Sequence, residues 1–150
     1  MTTNVQLYQA NYQLLKKVYE RKMVPGTLLA TLAMMLTGLF LGRHVQLWEL
    51  AIWAPLPIQL SSVVRRFERF LADPRVKVSE WFEPFAWAMH RSLGYESAYL
   101  ILDCTKAGGQ CRTLFVALAY HGSALPLAWK TLKGSKGHVK GEFQKALLQS

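Results

Sequence analysis

Acidic side chains are scarce in this sequence of 150 residues. Nine Asp and Glu stand against 18 Lys and Arg, which gives a formal net charge of +9 at pH 7. The only two aspartates are Asp73 and Asp103. A positive excess of this size favours anionic partners, either nucleic acid or an anionic membrane surface, and it says nothing about the fold. About half of the residues are apolar, which excludes global disorder and supplies a packed interior for one domain or two small units.

Cysteine is rarer still, with only Cys104 and Cys111, on either side of a Gly-Gly turn. A disulfide framework normally requires more cysteines than two. A zinc site built from these cysteines with His121 and His138 would match none of the compact paired-ligand spacings. We therefore interpret the two cysteines as reduced, partly buried side chains.

Long apolar segments are also few, and one of them is compatible with either a core helix or a membrane span. Residues 24–42 contain no charge and have the length of a candidate membrane span. Pro25 and Gly26 mark a helix entry, so the predicted helix covers residues 27–41, which is short for a bilayer. The first 22 residues are polar and contain no apolar segment typical of a signal peptide. We expect a core helix in a cytoplasmic protein, with a small membrane protein anchored by residues 24–42 as the alternative.

The spacing of apolar residues predicts helices throughout the first 94 residues. Gly42 and Gly94 are expected as C-caps of two of them, and Ser62 as an N-cap. The predicted helices cover residues 6–22, 27–41, 45–53, 62–72 and 79–93.

The helix that is predicted to begin at Ser62 has the clearest amphipathic pattern. Its apolar face contains Val63, Phe67 and Phe70, and the opposite face is basic. Three arginines within one and a half turns repel one another unless an anion lies nearby. A solvated face and a phosphate-contacting face are both compatible with this pattern. The three arginines are Arg65, Arg66 and Arg69.

After Gly94 the pattern becomes extended. Residues 99–103, 113–120 and 125–129 read as strands separated by short turns, which predicts an antiparallel meander. A helix is expected over residues 139–148. The predicted fold is therefore α+β, with a helical region at residues 1–94 and a sheet-containing region at residues 95–150.

Asp103 is the polar residue that stands out in the second region, because it follows four consecutive apolar residues. Burying a carboxylate in an apolar strand is costly unless a cation or several hydrogen-bond donors compensate. Three explanations remain open: a metal ligand, a hydrogen-bonded structural acid, or a strand register that turns the side chain to water.

Three segments carry a resemblance to a known family. They are LILDCTKAGGQCRTLFVALAYHGSALPLAWKTLKG at residues 100–134, TGLFLGRHVQL at residues 37–47, and SVVRRFERFL at residues 62–71 followed by Asp73, Pro74 and Arg75. In this order they resemble the DDE-type transposases of bacterial insertion sequences. The resemblance implies that the three strands and the following helix begin a ribonuclease H-like catalytic domain.

The resemblance also implies a role for Asp103, which matches the first catalytic aspartate of that family. Such enzymes hold two Mg²⁺ (or Mn²⁺) ions between converging carboxylates for DNA cleavage and strand transfer. The family pattern requires a second aspartate and a glutamate further on, whereas Glu142 is the only acid after Asp103. We therefore expect a truncated transposase that is inactive alone and binds metal weakly or not at all.

The expected partner is double-stranded DNA at the ends of the element, in a nucleoid-associated protein. Self-association is also expected, because a sheet cut off after three strands leaves an edge unpaired. A non-catalytic competitor of an intact transposase remains a further alternative. The residues expected to contact phosphates are Arg43, Arg65, Arg66, Arg69, Arg75 and Lys77, with Lys130, Lys133 and Lys136 as secondary candidates.

Overall fold

The computed structural model describes residues 3–92, 99–134 and 141–149. These residues form six helices and a three-stranded antiparallel sheet, so the predicted α+β class is confirmed. The chain divides into two compact units, Met1–Pro84 and Phe85–Ser150, each described by itself below. The boundary predicted after residue 94 and the C-cap predicted at Gly94 lie outside the described residues. The elements are α1 (Thr3–Val18), α2 (Gly26–Gly42), α3 (Leu47–Ile52), α4 (Leu60–Leu71), α5 (Val78–Ser92), β1 (Leu100–Lys106), β2 (Cys111–Tyr120), β3 (Ser123–Lys133) and α6 (Gly141–Leu148).

The first unit is built around α2, whose 17 residues pack against α1, α3 and α4. The apolar face predicted for α4 is confirmed, since Val63, Phe67 and Phe70 are all buried. Among the described residues, no helix combines the length and apolar character needed to cross a membrane. The buried core residues of this cluster are Leu28, Met34, Met35, Leu50, Ala51, Val63, Phe67 and Phe70.

A stripe of small and polar residues on α2 is buried together with its apolar residues. Thr37 is fully buried, donates to the carbonyl of Ala33 at 2.8 Å and accepts from the Asn11 amide at 3.2 Å. Gly38 lies one residue further on, where an added Cβ would be 2.6 Å from the carbonyl oxygen of Leu50. The small size of Gly38 therefore sets how closely α3 approaches α2.

Two helix ends differ from the sequence predictions. The C-cap of α2 is Arg43, in the left-handed conformation with φ 57°, and not Gly42. Gly42 is instead the last residue of the helix, and its lack of a side chain makes room for Trp53, since an added Cβ would be 2.8 Å from Nε1 of that residue. The N-cap predicted at Ser62 is also wrong, since α4 begins at Leu60 after Gln59, which makes no side-chain capping bond.

Trp81 at the start of α5 completes the core of the first unit. Its ring is 5.3 Å from the ring of Tyr19 and 5.5 Å edge-on from that of Phe70. The Tyr19 hydroxyl donates to the carbonyl of Trp81, and burial raises the pKa of Tyr19 to about 12.

The second unit contains the predicted meander, in the order β1-β2-β3 with both pairs antiparallel. His121 and Gly122 form the two-residue turn between β2 and β3, and both have positive φ, as the twist of a tight hairpin requires. Helix α6 covers one face of β2 and β3, where Leu114 and Val116 pack against Leu147.

Candidate nucleic-acid interface

Among the described residues, no acidic side chain forms an ion pair with the three arginines of α4. Arg65 and Arg69 are exposed, and Arg66 is half-buried. In the part of the chain that the structure describes, the ion pairs are Lys22–Glu83, Arg75–Asp73 and Lys77–Glu80, none of which includes an arginine of α4. Their positive charge is therefore available to an external anion.

Two of these arginines line an open cleft of about 400 Å³. The cleft lies where the first turns of α2 face α4. We call it the arginine cleft, and its lining residues are Thr27, Leu28, Thr31, Arg66, Arg69 and Phe70.

Neutral acceptors fix both guanidinium groups of the cleft. Arg66 Nε donates to the hydroxyl of Thr31 at 2.9 Å, and that hydroxyl donates to the carbonyl of Thr27 at 2.8 Å. Arg69 Nε donates to the carbonyl of Arg65 at 3.3 Å. Burial and the neighbouring Tyr12 raise the pKa of Tyr8, and the positive charge of Arg66 partly opposes this shift. Each guanidinium is thus oriented without losing its charge.

Arg75 and Lys77, which the sequence also assigns to phosphate contacts, are already paired with acids. Arg75 holds both carboxylate oxygens of Asp73, with Nε at 2.9 Å from Oδ1 and Nη2 at 2.6 Å from Oδ2. The side-chain and backbone hydrogen bonds from Arg75 lower the pKa of Asp73 to about 2. Lys77 Nζ is 2.9 Å from Glu80 Oε1. A phosphate at either position has to compete with a carboxylate, so both are weaker candidates than the arginines of α4.

Arg43 lies at the opposite end of α2 from the arginine cleft. At a rise of 1.5 Å per residue, its Cα is about 24 Å along the helix axis from that of Thr27. The side chain is exposed at the C-cap, where a cation also complements the helix dipole. Arg43 and the cleft are therefore separate positively charged positions.

The secondary lysines belong to the second unit. Lys130 Nζ lies 5.6 Å from the centre of the Phe143 ring, on the face of the sheet that α6 covers. Lys133 is exposed near the end of β3, and Lys136 lies outside the described residues. The structure thus gives Lys130 a packing contact and leaves Lys133 open to solvent.

Asp103 lies near the middle of β1, and its side chain is exposed. It pairs with Phe115 of β2, and Phe115 pairs with Trp129 of β3. Its Oδ1 accepts a hydrogen bond from the amide of Cys104 at 2.7 Å. The apolar residues of β1 are themselves exposed, with Leu100 57% exposed and its next two neighbours each 38% exposed. The reason is that β1 is an outer strand, while α6 packs on β2 and β3. Of the three explanations, a register that turns the side chain to water fits this geometry.

The described residues contain no group of three or more His, Cys, Asp or Glu side chains arranged to hold a metal ion. Cys104 and Cys111 are both free and partly buried, and His138 lies outside the described residues. The Mg²⁺ or Mn²⁺ that the resemblance implies therefore stays a prediction.

Comparison with family models, with curated proteins and with solved structures gave no match for this chain.

Proposed function

We propose that this chain is part of a DDE-type transposase. Its helical region binds DNA, and its sheet-containing region is an incomplete ribonuclease H-like core. The observation that carries the proposal is the set of three arginines on α4 that lack acidic partners among the described residues. Guanidinium groups pair well with phosphate oxygens, and a helix with several of them suits a DNA backbone. The net charge of +9 supports the same class of partner.

The second unit supports the proposal through its topology. An antiparallel three-stranded meander followed by a helix, with an aspartate on the first strand, is the arrangement with which the ribonuclease H-like fold begins. In this proposal Asp103 corresponds to the first metal ligand. Because Glu142 is the only acid that follows it, these 150 residues do not supply the other two carboxylates, and the chain alone does not cleave DNA.

Duplex binding measured at several salt concentrations tests the DNA-binding proposal. Each neutralised phosphate contributes roughly −0.9 to the slope of log affinity against log salt concentration. We expect Arg65→Gln, Arg66→Gln and Arg69→Gln combined to reduce the magnitude of the slope by about 2 to 3. Lys77→Gln is the control, because its ammonium group is already paired with Glu80. Absence of duplex binding at low salt, or an unchanged slope in the triple variant, would overturn the proposal.

Sequence preference gives a second check. Phosphate contacts fix position and supply affinity but carry little sequence information. We expect duplexes with element-end sequences and scrambled duplexes of the same length to bind with similar affinity. A preference of several hundredfold would point to direct reading of base edges and contradict binding through phosphate contacts alone.

Self-association belongs to the same proposal. Within the described sheet, β1 and β3 have one neighbouring strand each, and Leu100 on β1 is 57% exposed. An exposed apolar edge of this kind favours pairing with another chain. Sedimentation velocity over a range of concentrations checks this, and a monomer at every concentration would contradict it.

A further inference from the structure

We infer that the arginine cleft is a binding site for a single phosphate group, with Arg66 and Arg69 as its two charged donors. The inference deepens the proposed function and rests on it for the source of the phosphate, a phosphodiester of the DNA backbone. It assigns α4 a more specific role than a diffuse positive surface.

The first argument is the orientation of Arg66. Its Nε is already bonded to the Thr31 hydroxyl at 2.9 Å, so the plane of the guanidinium is fixed relative to α2. The two terminal amino groups form the fork that matches two oxygens of a phosphate. Because the side chain is half-buried and held by a neutral partner, it loses little further conformational entropy when an anion binds.

Arg69 supplies the second donor on the same cleft. Its Nε donates to the carbonyl of Arg65 within its own helix, at 3.3 Å, and no ion pair found in the described part of the chain includes Arg69. Two like charges lining one cleft repel each other in the absence of a ligand. An anion between them removes that repulsion and adds two attractive interactions, which is the electrostatic pattern of an anion site.

The surroundings of the two arginines favour an anion as well. The first turn of α2 contains no acidic residue, and Pro25 at its N-cap offers no side-chain capping bond. The amides at this end of α2 therefore add partial positive charge beside the cleft. Here the helix end assists a site that the two guanidinium groups define.

The apolar floor of the cleft, formed by Leu28 and Phe70, favours a phosphodiester over a free phosphate ion. Leu28 and Phe70 are each less than 10% exposed and line the cleft with their apolar surfaces. A free phosphate ion is hydrated on all sides and gains nothing from these residues. A phosphodiester brings an attached sugar, which can contact apolar surface, and a cleft of about 400 Å³ has room for both groups. This asymmetry favours a nucleic-acid phosphate over the free ion.

The test is a titration of the ¹⁵N-labelled full chain, followed by its amide and arginine Nε–Hε signals. The probes are inorganic phosphate, a single-stranded dinucleotide with one phosphodiester, and a short DNA duplex. We expect all three to shift the Nε–Hε signals of Arg66 and Arg69 and the amide of Thr27. The dinucleotide is expected to bind more tightly than inorganic phosphate, because only the dinucleotide has a sugar to contact the apolar floor.

Four variants distinguish a defined phosphate site in the arginine cleft from a diffuse positive surface. Arg66→Gln and Arg69→Gln are each expected to weaken dinucleotide binding about tenfold, which corresponds to one charge-assisted hydrogen bond. Thr31→Val is expected to weaken it several-fold without changing the net charge, because it releases Arg66. Arg21→Gln is the control, since it removes the same charge at an exposed position of the first unit outside the cleft, and it is expected to alter dinucleotide binding less than twofold.

The outcomes distinguish this inference from the proposed function. Equal loss of dinucleotide binding in Arg21→Gln and Arg66→Gln overturns the phosphate site, and DNA binding by the arginines of α4 then still stands. Arg66-dependent binding of inorganic phosphate without duplex binding overturns the proposed function and leaves a site for free phosphate. If Arg66→Gln fails to unfold cooperatively, the effect of Arg69→Gln on dinucleotide binding tests the site instead. The described side-chain hydrogen bond of Arg69 lies within its own helix, so its loss does not separate α4 from α2.

Discussion

Arg66 and Thr31 join α4 to α2 through a hydrogen bond of 2.9 Å between Nε and Oγ1. The same hydroxyl donates to the carbonyl of Thr27, so a single oxygen orients the guanidinium and is itself held by the helix. Thr31 is only 4% exposed and Arg66 is half-buried, so this bond lies at the boundary between the core of the first unit and solvent. The pair therefore links the packing of the first unit to the position of a positive charge at its surface.

Replacement of Thr31 by Val tests the structural part of this link. The substitution keeps the shape of the side chain and removes both hydrogen bonds of the hydroxyl, which leaves Arg66 Nε without its partner. We expect a loss of about 1 to 2 kcal/mol in the free energy of unfolding. Urea unfolding followed by circular dichroism measures it. Thr27→Val is the matched control because Thr27 is exposed, and a loss of the same size in both variants would contradict this role for Thr31.

Gly38→Ala is expected to destabilise the first unit through a backbone clash. An added Cβ would lie 2.6 Å from the carbonyl oxygen and 2.8 Å from the Cα of Leu50, so α3 has to move. Overpacking of this kind costs about 1 to 3 kcal/mol and exceeds the gain of about 1 kcal/mol from better helix propensity. Thermal unfolding provides the measurement. Gly26→Ala on the same helix is the control, since its nearest neighbour is the end of the Tyr12 side chain at 3.4 Å. Equal melting temperatures for wild type and Gly38→Ala would exclude the clash.

The amino-acid pattern predicts most of the architecture, because periodicity reports which face of an element is apolar. It places the core face of α4 correctly at Val63, Phe67 and Phe70, and it predicts the antiparallel meander from its short turns. It fails where glycine serves close packing instead of a turn. Gly42 has the expected position for a C-cap, yet it makes room for Trp53 while Arg43 takes the left-handed conformation.

The candidate site is predictable in its residue types but not in its geometry. The three arginines of α4 are visible in the sequence as a charged face. The acids that neutralise Arg75 and Lys77 are close in sequence, but only side-chain geometry shows the bidentate pair at Asp73. The contact of Arg66 with Thr31 spans 35 residues and depends on helix packing, so no local pattern predicts it. For Asp103 the sequence leaves exposure to water as one of three open explanations, because an apolar run does not reveal that its strand is an outer one.

Acid titration of Asp73 provides a prediction about charge. Hydrogen bonds from the side chain and backbone of Arg75 lower the pKa of Asp73 from 3.8 to about 2. A depressed carboxyl pKa contributes stability above the unfolded value, and that contribution is lost as pH falls from about 3.8 through about 2. The carboxyl carbon signal of Asp73 in an NMR titration is expected to have its midpoint near the lower value.

Arg75→Gln is expected to move that midpoint upward towards 3.8 and to flatten the fall in melting temperature between these two pH values. Arg65→Gln makes the same charge change at an exposed position in the same unit and serves as the control. An Asp73 midpoint that is unaffected by Arg75→Gln would show that another interaction sets its pKa.

Asp103→Asn is expected to change little in this chain. The carboxylate is exposed and its described hydrogen bond comes from the amide of the next residue, which an Asn side-chain oxygen also accepts. We expect the free energy of unfolding to change by less than about 0.5 kcal/mol.

Hard cations need several oxygen ligands, and the described residues bring no three acidic, histidine or cysteine side chains together. Calorimetric titration with Mg²⁺ and Mn²⁺ is therefore expected to show weak binding at most, and a plasmid-nicking assay no product, in both proteins. Glu142→Gln is the matched control for loss of one negative charge in the second unit. Tight metal binding that disappears in Asp103→Asn but persists in Glu142→Gln would show a metal site that Asp103 completes, and it would contradict the proposal that this chain has one ligand of three.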